Sequence, residues 1–377
     1  MEYFIIFIFQ YKKYKNMFSF ISFFLIFLNL IPQIVSITSE IKISSLQNLS
    51  FLFNSSFNNN RKLNTQLVYG NAIQLYYYYT NLYLGEKMQE QGFIINTDHE
   101  VTTSTCSLCQ KCGKHNLPYY NVNSNEEIIS CSDEKCKMVN SLNCYNISNN
   151  CSFQVSYIEG SKINGVYINE LIRFGGNYKS QNGTFIPLGC SIIETNLIYS
   201  QKENGILGLA NNNQNFVELL YQFGAIKNNI FSLCLSKSGG LFEIGEINNQ
   251  THKENITYVP MRTYKRKNYL IEVNSIYVNN AKNNISQVFQ FSLNSGTSFI
   301  YLNIKLFNEI ISKIEKECQK LNKTNICGNY VYNSDFGLCF NFDNEEQLNN
   351  AIKTYWPTIH FIIGEYDYDW DTKKKCY

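Results

Sequence analysis

From Gln74 onward the apolar residues fall in short runs of β-favouring side chains, each broken by Gly or Asn. The runs are 75–84, 91–95, 153–157, 165–174, 231–235, 241–244, 269–278 and 288–293. Val, Ile, Tyr and Phe dominate them, and such residues suit a half-buried pleated surface. Only two stretches carry helical spacing. One is 216–223, with Phe216, Leu219, Leu220 and Phe223 on one face; the other is about 303–321, with Ile304, Phe307, Ile311, Ile314, Cys318 and Leu321. Many short strands and few helices predict a mainly β architecture of barrel or sandwich type. The 377 residues suffice for two domains or one large bilobal one. Residues 37–73 are polar, Asn-rich and weakly periodic, and read as a leader that packs poorly by itself.

The formal net charge is +2, which gives no footprint for nucleic acid or for an acidic substrate. Met17 to Ser36 is apolar and uncharged and follows Lys12, Lys13 and Lys15. That is the layout of a signal peptide, with Ser36 as a passable cleavage residue and Pro32 favouring cleavage. An uncleaved signal anchor is the competing reading, because the run is nearly long enough to span a bilayer. The earlier run 3–9 is too short to span. Asn-x-Ser/Thr sequons at Asn54, Asn146, Asn182, Asn255 and Asn322 permit glycosylation, but a chain so rich in Asn carries many by chance.

The chain has 13 Cys, a number that suits disulfides in an exported protein. Cys106-x2-Cys109-x2-Cys112-x2-His115 also has the spacing of a zinc knuckle. The export signal favours disulfides, with Cys131, Cys136, Cys144 and Cys151 as possible partners, so no metal or other cofactor is expected. An odd count leaves at least one thiol unpaired or without its partner.

Two loops have related sequences: Phe93-Ile94-Ile95-Asn96-Thr97-Asp98-His99-Glu100 and Phe291-Ser292-Leu293-Asn294-Ser295-Gly296-Thr297-Ser298. Both resemble the catalytic loops of the pepsin-like aspartic proteases, which read apolar-apolar-Asp-Thr/Ser-Gly-Ser/Thr. The same family order runs through Gly205-Ile206-Leu207-Gly208-Leu209-Ala210, through Asn229-Ile230-Phe231-Ser232-Leu233-Cys234 and through Tyr258-Val259-Pro260. Tyr157-Ile158-Glu159-Gly160-Ser161 matches the family's flap, a hinged ribbon that closes over the peptide. The cysteine-rich insert resembles the nepenthesin and plasmepsin V branch. The resemblance implies a bilobal pepsin-like double β-barrel. Residues 1–36 would be the signal peptide or anchor, 37–73 a propeptide, 74–257 the N-terminal lobe with insert 106–151, and 258–377 a partial C-terminal lobe. It also implies a Cys190–Cys234 bridge and a disulfide-linked insert.

The family's chemistry is a water held between two carboxylates that share one proton, one acting as base and the other as acid. Asn96 and Asn294 stand at both dyad positions, and an amide cannot hold or release that proton near neutral or acidic pH. By the resemblance, Thr97 and Ser295 keep the hydroxyls that bridge the two lobes, while Tyr157, Gly160 and Thr297 keep substrate-binding positions. Gly296 keeps the turn glycine of the second loop. Asp98 replaces it in the first, where Asp tolerates positive φ better than most residues, and His99 replaces the next hydroxyl. Asp98, His99 and Glu100 read as polar residues of a relaxed surface loop whose side chains point away from the dyad, so they are not expected to rescue catalysis.

The expectation is therefore a secretory-pathway aspartic endopeptidase homologue, a monomer, catalytically inactive, that holds an extended peptide or protein in an inter-lobe cleft. It would meet a membrane only through an uncleaved N-terminal segment. The alternatives are an active endopeptidase with an unusual dyad and a gene fragment without function. The second apolar-apolar-Gly turn of the family finds no counterpart before Tyr377, which predicts an incomplete second lobe with unpaired strand edges.

Overall fold

The computed structural model describes residues 5–10, 65–71, 75–122, 128–139, 149–176, 178–180, 182–236, 239–246, 258–262, 268–279, 284–297, 300–320, 329–333, 337–341, 346, 357–364 and 366–370. The apolar run 17–36, and with it the choice between signal and anchor, lies outside them. So do the sequons at Asn54, Asn146, Asn255 and Asn322, and Cys144, Cys327 and Cys376. No helix among the described residues is long and apolar enough to cross a membrane.

The described residues divide into two compact units, one within 63–272 and 290–298, the other within 273–289 and 299–377. The mainly β architecture expected from the short apolar runs is the one found. The first unit is built on a sheet of eleven strands. In chain order these are β1 (Ile5–Gln10), β2 (Thr65–Asn71), β3 (Tyr77–Leu84), β4 (Gln89–Asn96), β5 (Thr103–Thr105), β6 (Ser152–Ser156), β7 (Lys162–Arg173), β8 (Thr184–Glu194), β9 (Gly205–Gly208), β10 (Ile230–Ser236) and β11 (Gly239–Ile244). Their order in the sheet is β1-β10-β11-β2-β3-β4-β9-β5-β8-β7-β6.

Alternation drives these strands. In β3 the side chains of Thr80, Leu82 and Leu84 are buried, and their neighbours are partly open. In β4 the run Phe93-Ile94-Ile95 buries Phe93 and Ile95 and leaves Ile94 partly open, which is the period-2 pattern of a pleated surface. Residues 65–71, part of the expected leader, are strand β2, which pairs with β3 on one side and β11 on the other. Gln66 and Val68 face inward, while Leu67 and Tyr69 face out. Among the described residues, three short α-helices decorate the unit: α1 (Glu134–Val139), α2 (Asn196–Ser200) and α3 (Phe216–Gln222). Asn215 caps α3 by accepting the Glu218 N–H at 2.9 Å, and Phe216, Leu219 and Leu220 of this helix are buried.

A three-stranded sheet joins Met261–Arg262, Tyr269–Val273 and Phe289–Leu293. In the second unit the strands Asn284–Ile285, Ser275–Val278, Ile359–Ile363 and Tyr366–Trp370 form a four-stranded sheet. The helix Ile304–Lys320 packs on Ser275–Val278. Its buried stripe is Leu306, Ile310, Ile314 and Glu317, with Ile304 72% exposed. The face expected from Ile304, Phe307 and Ile311 is thus rotated, because Leu306 and Ile310 continue the same i, i+4 row to Ile314.

The cysteines depart from expectation in their pairing, since none of Cys106, Cys109 and Cys112 joins Cys131, Cys136 or Cys151. Cys190 joins Cys106, not Cys234, which is a free, buried thiol. The cause is register: β5 runs parallel to β8 with Ser104 opposite Cys190, so Cys106 leaves the strand beside it, with Cα atoms 5.5 Å apart. β10, which carries Cys234, lies towards the other end of the strand order. Burial and the charge of Glu243 push the Cys234 thiol up to about 12, so it stays an unreactive thiol. Cys109 pairs with Cys112, and Cys136 with Cys151. The knuckle spacing is therefore occupied by disulfides, and among the described residues no cluster of His, Cys, Asp and Glu could hold a metal ion.

Candidate active site

The first Asn loop leaves the end of β4, and β9 supports it from beside. The two strands run parallel, from Phe93 opposite Gly205 to Asn96 opposite Gly208. Past the strands, Leu209 N–H donates to the Asn96 carbonyl at 2.9 Å and Ala210 N–H to the His99 carbonyl at 3.0 Å. The glycines of β9 allow the approach: a Cβ on Gly205 would lie 2.2 Å from the Thr103 carbonyl oxygen, and one on Gly208 2.6 Å from the Val101 carbonyl carbon. The second Asn loop leaves the strand Phe289–Leu293 and belongs to the same compact unit as the first.

Four hydrogen bonds interlock the loops in two reciprocal pairs. Thr97 N–H donates to Ser295 Oγ at 3.1 Å, and Ser295 N–H to Thr97 Oγ1 at 2.9 Å. Thr97 Oγ1 donates to the Leu293 carbonyl at 3.0 Å, and Ser295 Oγ to the Ile95 carbonyl at 2.8 Å. Each hydroxyl donates once and accepts once, and Thr97 is only 1% exposed.

The two asparagines mirror each other. Asn96 Oδ1 accepts the N–H of Asp98 at 2.9 Å, and Asn294 Oδ1 accepts the N–H of Gly296 at 2.8 Å. These are Asx-type turns, in which the side chain closes on the backbone two residues on. Gly296 is required by proximity, since a Cβ there would lie 2.3 Å from Cγ and Nδ2 of Asn96. Neither Gly296 nor Asp98 adopts a positive φ, so replacing the glycine of the first loop by Asp98 introduces no left-handed strain.

Asp98 overturns one expectation. Its side chain turns toward the second loop, where Oδ2 accepts Nδ2 of Asn294 at 3.1 Å and Oδ1 accepts a short hydrogen bond from Nδ2 of Asn268. Asn268 reaches Ser292 Oγ as well, at 3.3 Å. Among the described residues, one carboxylate thus stands between the two loops with an amide donor on each oxygen. Burial, with help from the charge of Glu100, raises its pKa above the usual aspartate value. Sequence spacing pointed away from this contact, because it is made between segments about two hundred residues apart.

His99 is not on a relaxed surface either. It is 2% exposed, and Nδ1 lies 2.6 Å from the Val101 carbonyl, so the proton is on Nδ1 and Nε2 is a bare acceptor. No hydrogen-bond partner faces Nε2 among the described residues. Burial lowers the pKa to about 4, against a weaker upward pull from the Val101 carbonyl. Glu100 accepts weak bonds from Asn212 and Gln214, at 3.5 and 3.4 Å.

The ring of Tyr157 stacks over that of His99, with centroids 5.7 Å apart. Tyr157 begins the turn between β6 and β7. Its N–H donates to the Ser161 carbonyl at 2.9 Å, and Gly160 N–H donates back to the Tyr157 carbonyl at 3.0 Å. Gly160 has φ +94°, which an L side chain rarely adopts. Ile158, at the tip, is fully exposed. The Tyr157 hydroxyl is buried and has no hydrogen-bond partner among the described residues, and burial raises its pKa far above the ordinary tyrosine range. Thr297 is half-buried at the end of the second loop.

Family models for the N-terminal and C-terminal parts of xylanase inhibitors match residues 78–246 and 268–377. Plasmepsin V of Plasmodium falciparum is 29% identical over 185 residues, 47% of this chain and 31% of that protein. Aspartic proteinase nepenthesin-1 of Nepenthes gracilis is 25% identical over 302 residues, 76% of this chain and 65% of its own length. Aspartic proteinase 36 of Arabidopsis thaliana is 24% identical over 280 residues, 68% of this chain and 58% of that protein. The chain therefore spans about a third of plasmepsin V and less than two thirds of the plant proteins. With both halves of the chain matched and the two loops interlocked around their paired hydroxyls, the chain belongs to the pepsin-like family of aspartic proteases.

Proposed function

We propose that the protein is a pepsin-fold peptide-binding protein of the secretory pathway that does not hydrolyse what it binds. One observation carries the reading: both dyad positions are amides, and each amide oxygen is engaged by its own loop. Acid–base work on a peptide bond needs one group that takes a proton and another that gives one. The site offers a single carboxyl, Asp98, with both oxygens already accepting amide hydrogens. Held in this way, Asp98 is a paired carboxylate and not one half of a proton-sharing acid pair.

The remaining parts favour binding. The interlocked loops form a rigid floor, and the β6–β7 hairpin supplies a ribbon with an exposed apolar tip at Ile158. An extended peptide beneath such a ribbon can be held by backbone hydrogen bonds, with side-chain pockets adding selectivity. The disulfides and the apolar run 17–36 support export.

A second reading has one observation in its favour. Asp98 reaches Asn294 with a raised pKa, so a lone carboxylate could serve as general base. The experiment is the variant Asn96→Asp/Asn294→Asp/Asp98→Gly, assayed at pH 3–5 on a denatured protein. Gain of cleavage over an inert wild type fits a silent scaffold. Wild-type cleavage that disappears in Asp98→Asn fits the second reading.

A further inference from the structure

The cysteine-rich insert and the flap grip opposite ends of one short helix, α2. At its start, Asn196 Nδ2 donates to the Gly160 carbonyl at 3.1 Å and Leu197 N–H to Ser161 Oγ at 3.1 Å. Just before it, Thr195 and Lys162 exchange two bonds: Thr195 N–H to the Lys162 carbonyl at 3.1 Å, and Lys162 N–H to Thr195 Oγ1 at 2.8 Å. At its end, Gly113 of the insert lies so close that a Cβ there would sit 1.6 Å from the Tyr199 carbonyl oxygen. His115 Nδ1 is 3.0 Å from the Gln201 carbonyl, and Asn116 N–H donates to the Lys202 carbonyl at 2.7 Å.

His115 and Glu194 close this arrangement. Nε2 of His115 is 3.1 Å from Glu194 Oε2, and both side chains are inaccessible to solvent or nearly so. Glu194 also accepts Thr105 Oγ1 at 2.6 Å and Gly113 N–H at 3.1 Å, and its own N–H donates to the Lys111 carbonyl at 2.8 Å. Both nitrogens of His115 thus face acceptors, one a carbonyl and the other a carboxylate. Neither partner can donate in return, so the ring satisfies both contacts only as the doubly protonated imidazolium. Glu194 is the last residue of β8 and adjoins Thr195, which is bonded to the flap strand.

We propose that the His115–Glu194 pair is a proton-controlled clasp through which the cysteine-rich insert sets the position of the flap by way of α2. The reading rests on residues 157–161 being a flap over a peptide site. Loss of the ring proton leaves a lone pair facing either the Gln201 carbonyl or the Glu194 carboxylate. One of those contacts must then open, and either opening frees an end of the 194–201 segment.

Other groups around the ring act in the same direction or stay clear of it. Burial pulls the His115 pKa down. The hydrogen bond and charge of Glu194, the Gln201 carbonyl and the charge of Glu203 outweigh it and leave the pKa raised. Glu203, 3% exposed, is engaged by Tyr77 and Asn116. Tyr119, its ring 6.1 Å from that of His115, donates its hydroxyl to the Gly113 carbonyl at 2.7 Å. Lys111, Lys114 and Lys202 on the same segments are exposed. A raised folded pKa means the contribution is complete below the unfolded value near 6.5 and lost as pH rises through the folded value.

Amide hydrogen exchange of the full chain without peptide, at pH 5.5 and 8.5 and corrected for intrinsic rates, tests this. Protection over 157–162 and 195–201 is expected to fall about tenfold or more at the higher pH, while β3 and β4 keep theirs. In His115→Gln, whose amide has no proton to lose in this range, the two pH values are expected to give equal protection. Flap protection that does not change with pH in the wild type would overturn the proposal, and so would the same fall in His115→Gln. A fall spread evenly over β3 and β4 would overturn it as well, leaving the pair a merely structural contact. The wild-type arm needs no variant to fold, and no arm depends on peptide binding or cleavage.

Discussion

Asn294 donates its side-chain amide to the carboxylate of Asp98 across 3.1 Å, joining the two loops at the point where a protease of this family would keep a proton-sharing acid pair. The carboxylate in this contact belongs to Asp98, two residues after Asn96, and its other oxygen accepts from Asn268. An amide and a carboxylate make a stable donor–acceptor pair that does not need to cycle.

Asp98 should leave a mark on the pH dependence of stability. Its folded pKa is raised, so between the unfolded and folded values the native state binds more protons. Stability attributable to this group therefore falls as pH rises through that window. Chemical denaturation of the wild type and Asp98→Asn from pH 3 to 7 is expected to give a difference that moves in favour of Asn as pH rises.

His99 predicts the opposite slope. Its neutral ring is buried and its folded pKa lies at about 4. The stability it provides is present above about 6.5 and is lost as pH falls toward 4, with an amplitude on the order of 3 kcal/mol. In His99→Gln this acid-side loss should disappear, as followed by urea midpoints across the same range.

Thr97 and Ser295 each serve as donor and acceptor in the interlock. Thr97→Val keeps the shape but removes the hydroxyl, leaving the Ser295 N–H and the Leu293 carbonyl without these partners. A loss of about 1–3 kcal/mol is expected, read by thermal or urea unfolding.

Gly296→Ala should be poorly tolerated although its φ is ordinary, because the new methyl would meet the Asn96 side chain at 2.3 Å. Destabilisation of about 1–3 kcal/mol is expected. The double variant Asn96→Gly/Gly296→Ala, which removes the obstacle, should recover part of it.

Much of the scaffold was legible in the sequence, because strands and the capped helix after β9 declare themselves by local period. The relatedness of the two loops and the turn at 157–161 were legible as well, since each sits within a short contiguous motif, and the hydroxyls of Thr97 and Ser295 meet across the loops. The missed features depend on register and on distant pairing. Cys190 meets Cys106 because β5 and β8 run parallel, which no cysteine count encodes. Asp98 reaches Asn294 and Asn268 only once segments far apart in the chain are brought together. His99 appears polar and exposed in a string of acids, yet its ring is buried beneath Tyr157. The long helix was found, but its buried face was set by Leu306 and Ile310 rather than by Ile304.

The most direct test of the central claim is to incubate the full chain with a mixture of unstructured peptides at pH 3–5, recover the bound fraction and weigh it by mass spectrometry. Peptides recovered bound and at their original masses are the result expected from two amides and one paired carboxylate. Peptides recovered cut, with cutting that vanishes in Asp98→Asn, would contradict it.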